Sequence, residues 1–167
     1  MSYVVFGLGA HQLALPLSAV EAVERPGRFT AVPFAAPWLR GVTAIRGRVV
    51  PVVDLGSFAQ VAPAGLDPSA RLILTRGAGN IAALLVDRVM QIVQPESAPE
   101  PVTELGQPLA TWCASAFERD GVLIPILDTD RLMASDAFCA MQLAPEERAL
   151  FTHRHLDVAA HVPTIDR

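Results

Sequence analysis

Residues 38–55 read WLRGVTAIRGRVVPVVDL and combine the features that decide the fold of this chain. Two apolar runs flank the dipeptide Arg46-Gly47, where a glycine lets the backbone turn tightly. Pro51 cannot donate a hydrogen bond to a strand ladder, so it predicts an edge or a bulge in the second run. Asp54 then ends that strand and can cap a short helical turn. The stretch therefore predicts a β-hairpin followed by one turn of helix.

The arginines of this stretch admit two interpretations. Two of them precede glycines, as Arg40-Gly41 and Arg46-Gly47, and Arg48 follows directly. Arginine can pair bidentately with a carboxylate or stack on an aromatic ring, which suits a protein interface. The alternative is an ordinary hairpin whose arginines are only solvated, and the residues alone leave both interpretations open.

The same pattern recurs later in the chain. Residues 49–54 (VVPVVD) match residues 123–128 (LIPILD), and residues 11–26 match residues 80–95 at a fixed offset. The matching pairs of the second repeat are Leu15 with Leu84, Leu17 with Val86, Val20 with Val89, Val23 with Ile92, and Pro26 with Pro95. A repeat of this kind predicts two similar small β-units packed face to face. Asp128, like Asp54, is then expected to cap a helical turn, at 129–133.

Short apolar segments, broken by Gly, Pro, Asp and Asn about every ten residues, predict an all-β fold. The candidate strands are 3–8, 12–16, 20–25, 39–45, 48–53, 72–76, 81–86, 89–93, 113–119 and 122–127. The proline-rich stretches 62–69 and 94–101 are expected to be linkers or ordered loops. The Gly-x-Gly sequences at 7–9 and 77–79 predict hairpin turns. Pro145 and the acidic residues after it predict a C-terminal helix over about 145–155.

Composition narrows the possible functions. The chain has 167 residues, of which 51% are hydrophobic and 18% charged, which fits one domain or two very small ones sharing a core. The net charge of −4 argues against an extended nucleic-acid-binding surface. All 13 basic residues are arginine, so a Schiff-base or Walker-type lysine is excluded. The longest clean apolar run, 81–86, is too short to span a bilayer, and no signal peptide is evident. We expect a soluble, cytoplasmic protein.

The sequence offers no catalytic, metal or cofactor motif. Cys113 and Cys139 lack CxxC spacing, and His153, His155 and His161 in the tail have no further ligands at matching spacing. We therefore predict no catalytic residue, no bound metal and no cofactor. The remote alternative is a small hydrolase that uses Cys113 or a tail histidine.

Residues 41–55 resemble the hallmark of the CheW family of bacterial chemotaxis adaptors. That hallmark is an apolar strand, an Asn-Leu-Arg-Gly-like turn, and a strand reading Val-Val-Pro-Val-Val-Asp-Leu. Ala44 stands here where the family usually has asparagine. Further matching segments follow in order, at 3–8, 16–20, 32–33, 37–41, 85–89 and 124–128. The resemblance covers about 2–134, and 135–167 form a C-terminal extension.

The resemblance implies a fold of two intertwined, five-stranded SH3-like barrels around a shared core. It implies a non-catalytic adaptor that couples methyl-accepting chemoreceptors to a CheA-type histidine kinase, located in the cytoplasm at receptor arrays. Such an adaptor binds the kinase regulatory domain and holds the receptor's cytoplasmic tip in a groove between the barrels. By position, the receptor-side residues are Arg46 and Gly47, with Val42, Ile45 and Val49 as apolar neighbours. Related adaptors serve pilus motility or nucleotide signalling, and these pathways remain alternatives.

Overall fold

The computed structural model describes residues 1–61, 63–102, 105–106 and 109–139. Within these ranges the chain forms eleven strands, four short α-helices and one 3-10 turn at Leu17–Ala19. The strands are β1 (Tyr3–Leu8), β2 (His11–Pro16), β3 (Val20–Glu24), β4 (Leu39–Ile45), β5 (Arg48–Asp54), β6 (Arg71–Gly77), β7 (Asn80–Val86), β8 (Arg88–Val93), β9 (Glu100–Pro101), β10 (Cys113–Arg119) and β11 (Val122–Leu127). The helices are α1 (Leu55–Phe58), α2 (Leu109–Trp112), α3 (Thr129–Ala134) and α4 (Asp136–Cys139). None of these helices has the length and apolar character needed to cross a membrane.

The strands form two sheets that exchange one strand each. The first sheet has the order β8-β1-β2-β11-β10-β9, and the second has the order β3-β6-β7-β5-β4. β3 follows β2 in the chain but pairs with β6 of the second sheet. β8 follows β7 but pairs with β1 of the first sheet. Each sheet therefore contains a strand contributed by the other half of the chain, and the two units are interlocked.

The internal repeat is confirmed in the hydrogen-bond register. Ala14 of β2 lies opposite Ile126 in a parallel pairing, and the equivalent Ala83 of β7 lies opposite Val52. The β4–β5 and β10–β11 hairpins carry their bulges at equivalent places, after Leu39 and after Cys113. The second half of the chain thus repeats the first in pairing direction and register.

The predicted caps and turns are also confirmed. The Asp54 side chain accepts a hydrogen bond from the Ser57 amide, and that of Asp128 accepts one from the Arg131 amide. Each aspartate satisfies an amide that the first turn of its helix leaves free. The Gly-x-Gly sequences close the β1–β2 and β6–β7 hairpins as expected.

Three clusters of buried side chains hold the sheets together. A central cluster contains residues of both sheets, including Phe6, Leu15, Leu84 and Val53, together with α1 to α4. Two smaller clusters lie inside the individual sheets. Successive residues of a strand point to opposite faces of the sheet. The side chains of β1 therefore point alternately into its own barrel and into the central cluster, and all six of its residues are buried. The core is therefore shared between the barrels.

Three details differ from the sequence-based expectation. Pro51, expected at an edge or a bulge, lies in the interior strand β5, where the pairing with β7 begins only at Val52. Glu100–Pro101, predicted to be loop, forms β9 at the edge of the first sheet, giving it six strands where we expected five. Pro101 is tolerated there because one side of an edge strand needs no backbone donor. Helices α2 and α4 were not predicted, since four residues are too few to show a helical period. The predicted C-terminal helix and the histidines at 153, 155 and 161 lie outside the described residues.

Candidate partner-binding site

The β4–β5 hairpin ends in a tight turn formed by Arg46 and Gly47. Both residues have positive φ, 50° at Arg46 and 75° at Gly47. Such values are typical of the two-residue turns whose twist matches that of the flanking strands. A Cβ built on Gly47 would meet nothing within 4 Å, so the tip stands open to solvent.

The predicted receptor-side residues divide into exposed and buried ones. The Arg46 side chain is 62% exposed and Val49 is 42% exposed, so both are accessible beside the turn. Val42 and Ile45 are buried, and Ile45 belongs to the core cluster inside the second sheet. The structure therefore places three of the five residues at the surface and two beneath it, where they support the hairpin.

Arg46, Arg48 and Arg76 form an arginine cluster on one face of the second barrel. Arg46 Nη1 donates to the Glu21 carbonyl oxygen at 3.4 Å, and its Nε lies 4.0 Å from Glu24 Oε1. Arg48 and Arg76 both pair with the Glu21 carboxylate. The contacts of Arg46 and Arg48 join β3 to the β4–β5 hairpin although the two lie at opposite ends of the strand order, and so they help to close the barrel, whereas Arg76 lies on the neighbouring strand β6.

Sequence reasoning missed the part played by Arg76, Glu21 and Glu24. Glu21 stands at a bulge in the pairing of β3 with β6, between Val20 and Ala22. The carboxylate and the Arg76 guanidinium that it binds are 55 positions apart in the chain. Apolar periodicity shows where strands lie but not which strands pair. The sequence around each of these charged residues therefore could not predict that they lie next to one another.

The base of the hairpin is fixed by a buried carboxylate. Asp54 is fully buried and accepts amide hydrogen bonds from Ser57 and Ala64, while Arg40 Nη1 lies 3.2 Å from its Oδ2. Gly41 is required beside Arg40 because its φ is 133° and a Cβ would overlap the carbonyl oxygen of Thr30. The hairpin thus projects from a rigid base.

Cys113 does not have the environment of a nucleophile. Its side chain is buried, and burial together with the negative charge of Asp128 raises the pKa of the thiol to about 12. The thiol therefore stays protonated at neutral pH, whereas the thiolate is the reactive form. In the described ranges no group of three or more His, Cys, Asp or Glu residues could hold a metal ion.

Two interlocked SH3-like barrels with an exposed charged hairpin and a buried, protonated thiol suit a protein that binds partners through its surface. The CheW-like domain model matches residues 2–137, and this chain belongs to the CheW-like family. The scaffolding protein TtCheW from Thermoanaerobacter tengcongensis has a similar structure, with a TM-score of 0.74 and 23% identity. That similarity covers 81% of this chain and 94% of TtCheW, and it confirms the predicted fold.

Curated relatives show the same family. Protein PilI of Pseudomonas aeruginosa is 27% identical over 121 residues, covering 71% of this chain and 68% of PilI. The chemotaxis protein CheW of Thermotoga maritima is 26% identical over 130 residues, covering 77% and 84%. CheW of Klebsiella aerogenes is 24% identical over 140 residues, covering 80% and 82%. Members of the family are non-catalytic scaffolds, and this chain is a chemosensory adaptor, as its sequence predicted.

Proposed function

We propose that this protein couples methyl-accepting chemoreceptors to a CheA-type histidine kinase and carries out no chemical step itself. It would bind the regulatory domain of the kinase and the cytoplasmic tip of the receptor, in the cytoplasm at membrane receptor arrays. The observation that carries the proposal is the β4–β5 hairpin, whose tip presents Arg46 and Gly47 to solvent from a rigid base.

The contacts of Arg46 suit reversible binding. Its Nε is 4.0 Å from Glu24 Oε1, and both side chains are about half exposed or more. An exposed ion pair at such a distance contributes about 0–1 kcal/mol, so a partner carboxylate can replace Glu24 at little cost. The planar guanidinium can then bind that carboxylate through two hydrogen bonds. Val49 offers an apolar contact beside it, while Val42 and Ile45 hold the hairpin from within.

An Arg46→Glu variant tests this role against a matched charge change. Arg119 precedes the equivalent turn of the β10–β11 hairpin and is also partly exposed, so Arg119→Glu alters the net charge equally. We expect Arg46→Glu to reduce co-sedimentation with receptor arrays and kinase at least tenfold, and Arg119→Glu to leave it nearly unchanged. Circular dichroism melting would verify that both variants fold. Equal co-sedimentation of Arg46→Glu and the unaltered protein would contradict the proposal.

A second candidate function is the same adaptor role in a pilus-motility pathway. The similarity to Protein PilI of Pseudomonas aeruginosa favours it. Ala44, exposed beside the Arg46-Gly47 turn in place of the usual asparagine, fits a dedicated receptor. A pull-down from native cytoplasm would identify the receptor and the kinase, and these decide between the two pathways. Recovery of a flagellar receptor alone would exclude the second candidate.

A further inference from the structure

The loop that leads into β4 is apolar throughout. Residues 31–38 read AVPFAAPW and contain no charged, hydroxyl or amide side chain. Ala31, Pro33 and Pro37 are exposed, and Phe34 is fully exposed to solvent. A run of exposed apolar residues in a loop is unfavourable unless the run has a function, such as contact with a partner. We name residues 31–38 the Phe34 loop.

Phe34 has a strained backbone that does not serve the packing of the barrel. Its φ is 57°, in the left-handed region that bulky residues rarely adopt. Because the ring is fully exposed, its burial within this chain offsets none of that strain. Strained residues persist where the surrounding structure holds them, and they cluster at functional sites. The stability of the fold therefore gives no reason for a phenylalanine at this position, whereas contact with a partner does.

The Phe34 loop is held firmly at both ends. Thr30 and Val42 exchange two backbone hydrogen bonds, of 2.8 and 2.9 Å, and the Leu39 amide donates to the Ala36 carbonyl oxygen at 2.9 Å. The two prolines of the loop further restrict its backbone. An aromatic ring on such a loop is presented in one place, so binding has little left to order. Phe34 thus has the properties of an anchor residue at a protein interface.

The charges near the Phe34 loop favour an acidic partner. Residues 25–53 contain five arginines and no acidic residue, although the whole chain has a net charge of −4. Arg40 and Arg48 have carboxylate partners within the chain. Arg25 and Arg28 are exposed on the segment that leads into the loop. A complementary surface therefore has an apolar pocket for an aromatic ring and carboxylates beside it.

The Phe34 loop and the Arg46 hairpin lie near opposite ends of β4. The antiparallel pairing of Thr30 with Val42 directs the loop towards Leu39, where β4 begins, whereas Arg46 follows the other end of the strand. β4 has seven residues, so the two surfaces are separated by about 20 Å along the strand. A coupling protein needs two surfaces far enough apart for two partners to bind together. The Phe34 loop remains available when the Arg46 hairpin holds a receptor.

We propose that the Phe34 loop binds the regulatory domain of the CheA-type kinase, with Phe34 in an apolar pocket and Arg28 paired with a carboxylate beside that pocket. The inference rests on the proposed function, which assigns the receptor to the Arg46 hairpin and assigns no residue to the kinase contact. The kinase is the second partner that a coupling protein must hold, and the loop is an exposed apolar surface at the far end of the same strand.

Phe34→Asn tests the anchor without the risk of unfolding. Asparagine tolerates positive φ better than phenylalanine, so we expect Tm to stay the same or rise. The kinase recovered in the pull-down, purified at full length, and receptor arrays without kinase are each titrated with the adaptor. We expect Phe34→Asn to bind the kinase at least tenfold more weakly and the receptor arrays as tightly as the unaltered protein. Phe34→Tyr, which keeps the ring, should bind both normally.

A charge reversal tests the acidic character of the partner surface. We expect Arg28→Glu to weaken kinase binding at least fivefold, because it places a carboxylate against a carboxylate. Arg119→Glu changes the net charge equally on the other barrel and should leave kinase binding unchanged. Added salt should weaken kinase binding by the unaltered protein more than by Arg28→Glu, since salt screens an attraction that the variant lacks.

Undiminished kinase binding by Phe34→Asn or by Arg28→Glu would overturn the inference. An equal loss of receptor binding in Phe34→Asn would also overturn it, because the loop would then not distinguish the two partners. Failure of the proposed function gives a different result: the unaltered protein would bind neither the kinase nor the receptor arrays, and the inference would fail with it.

Discussion

At the scale of single residues, we expect equivalent positions in the two repeats to contribute unequally to the free energy of unfolding. Asp54 and Asp128 both end a strand and cap a helix, and the sequence predicted the two caps alike. Asp54 is fully buried and also holds Arg40 and the Ala64 amide, whereas Asp128 lies partly in solvent. Burial and the extra partners were not predictable, because they depend on segments distant in sequence.

We expect Asp54→Ala to lower the free energy of unfolding by about 3 kcal/mol, because it leaves the Ala64 amide and the Arg40 guanidinium without their acceptor. Asp128→Ala should cost only about 1 kcal/mol, the usual value of a cap. Urea unfolding of both variants measures the difference. Equal losses would show that the buried ion pair adds nothing to the cap.

The raised pKa of Cys113 predicts a dependence of stability on pH. The unfolded thiol titrates near 9 and the folded one near 12, so between these values the unfolded state binds fewer protons. The free energy of unfolding should therefore fall as the pH rises from about 9 towards 12. Urea midpoints at pH 8 and pH 10 should show a smaller fall in Cys113→Ala than in the unaltered protein. Cys139→Ala, at an exposed position, is the control and should keep the full fall.

At the scale of elements, substitutions in the two hairpin turns distinguish an effect on stability from an effect on partner binding. Gly47 and Gly121 both have φ of 75° and open space where a Cβ would stand. Alanine at either position should lower the free energy of unfolding by about 1 kcal/mol through backbone strain alone. Only Gly47→Ala should also weaken co-sedimentation with receptor and kinase, because only that hairpin carries the proposed site. Equal weakening by Gly121→Ala would indicate that both barrels contact the partners.

The elements themselves were largely predictable. All ten predicted strands are present, each with ends within one residue of the prediction, because strongly apolar runs bounded by turn residues define strands well. The two-residue β9 was missed because proline argues against a strand. In the candidate site, Arg46, Gly47 and Val49 are exposed as a contact role requires, whereas the burial of Val42 and Ile45 depends on how the barrel closes.

At the scale of the whole molecule, the strand exchange makes the two barrels one unit. Val5 lies in the core cluster of the first sheet, and its repeat equivalent Leu74 lies in that of the second. The repeat predicted two similar units, but not that each lends a strand to the other, because periodicity does not specify pairing partners. The family resemblance implies intertwined barrels, and the observed order of strands shows which strand each barrel lends to the other.

We expect Val5→Ala and Leu74→Ala each to lower the free energy of unfolding by about 2–4 kcal/mol. Both variants should still unfold in a single transition, because a cavity in either barrel weakens both. Far-ultraviolet circular dichroism and tryptophan fluorescence should report coincident midpoints in both variants. Two separated transitions in either variant would show that the barrels unfold independently.

The exchange of strands also determines the order in which the two sheets can form during synthesis on the ribosome. The second sheet is complete once Val86 has emerged, but β1 and β2 wait for β8, which ends at Val93, and for β11, which ends at Leu127. At roughly 5–20 residues per second, this wait lasts on the order of ten seconds. For that time the first hairpin to be made lacks its neighbouring strand β11, so we expect nascent chains of this protein to bind chaperones that shield exposed strands.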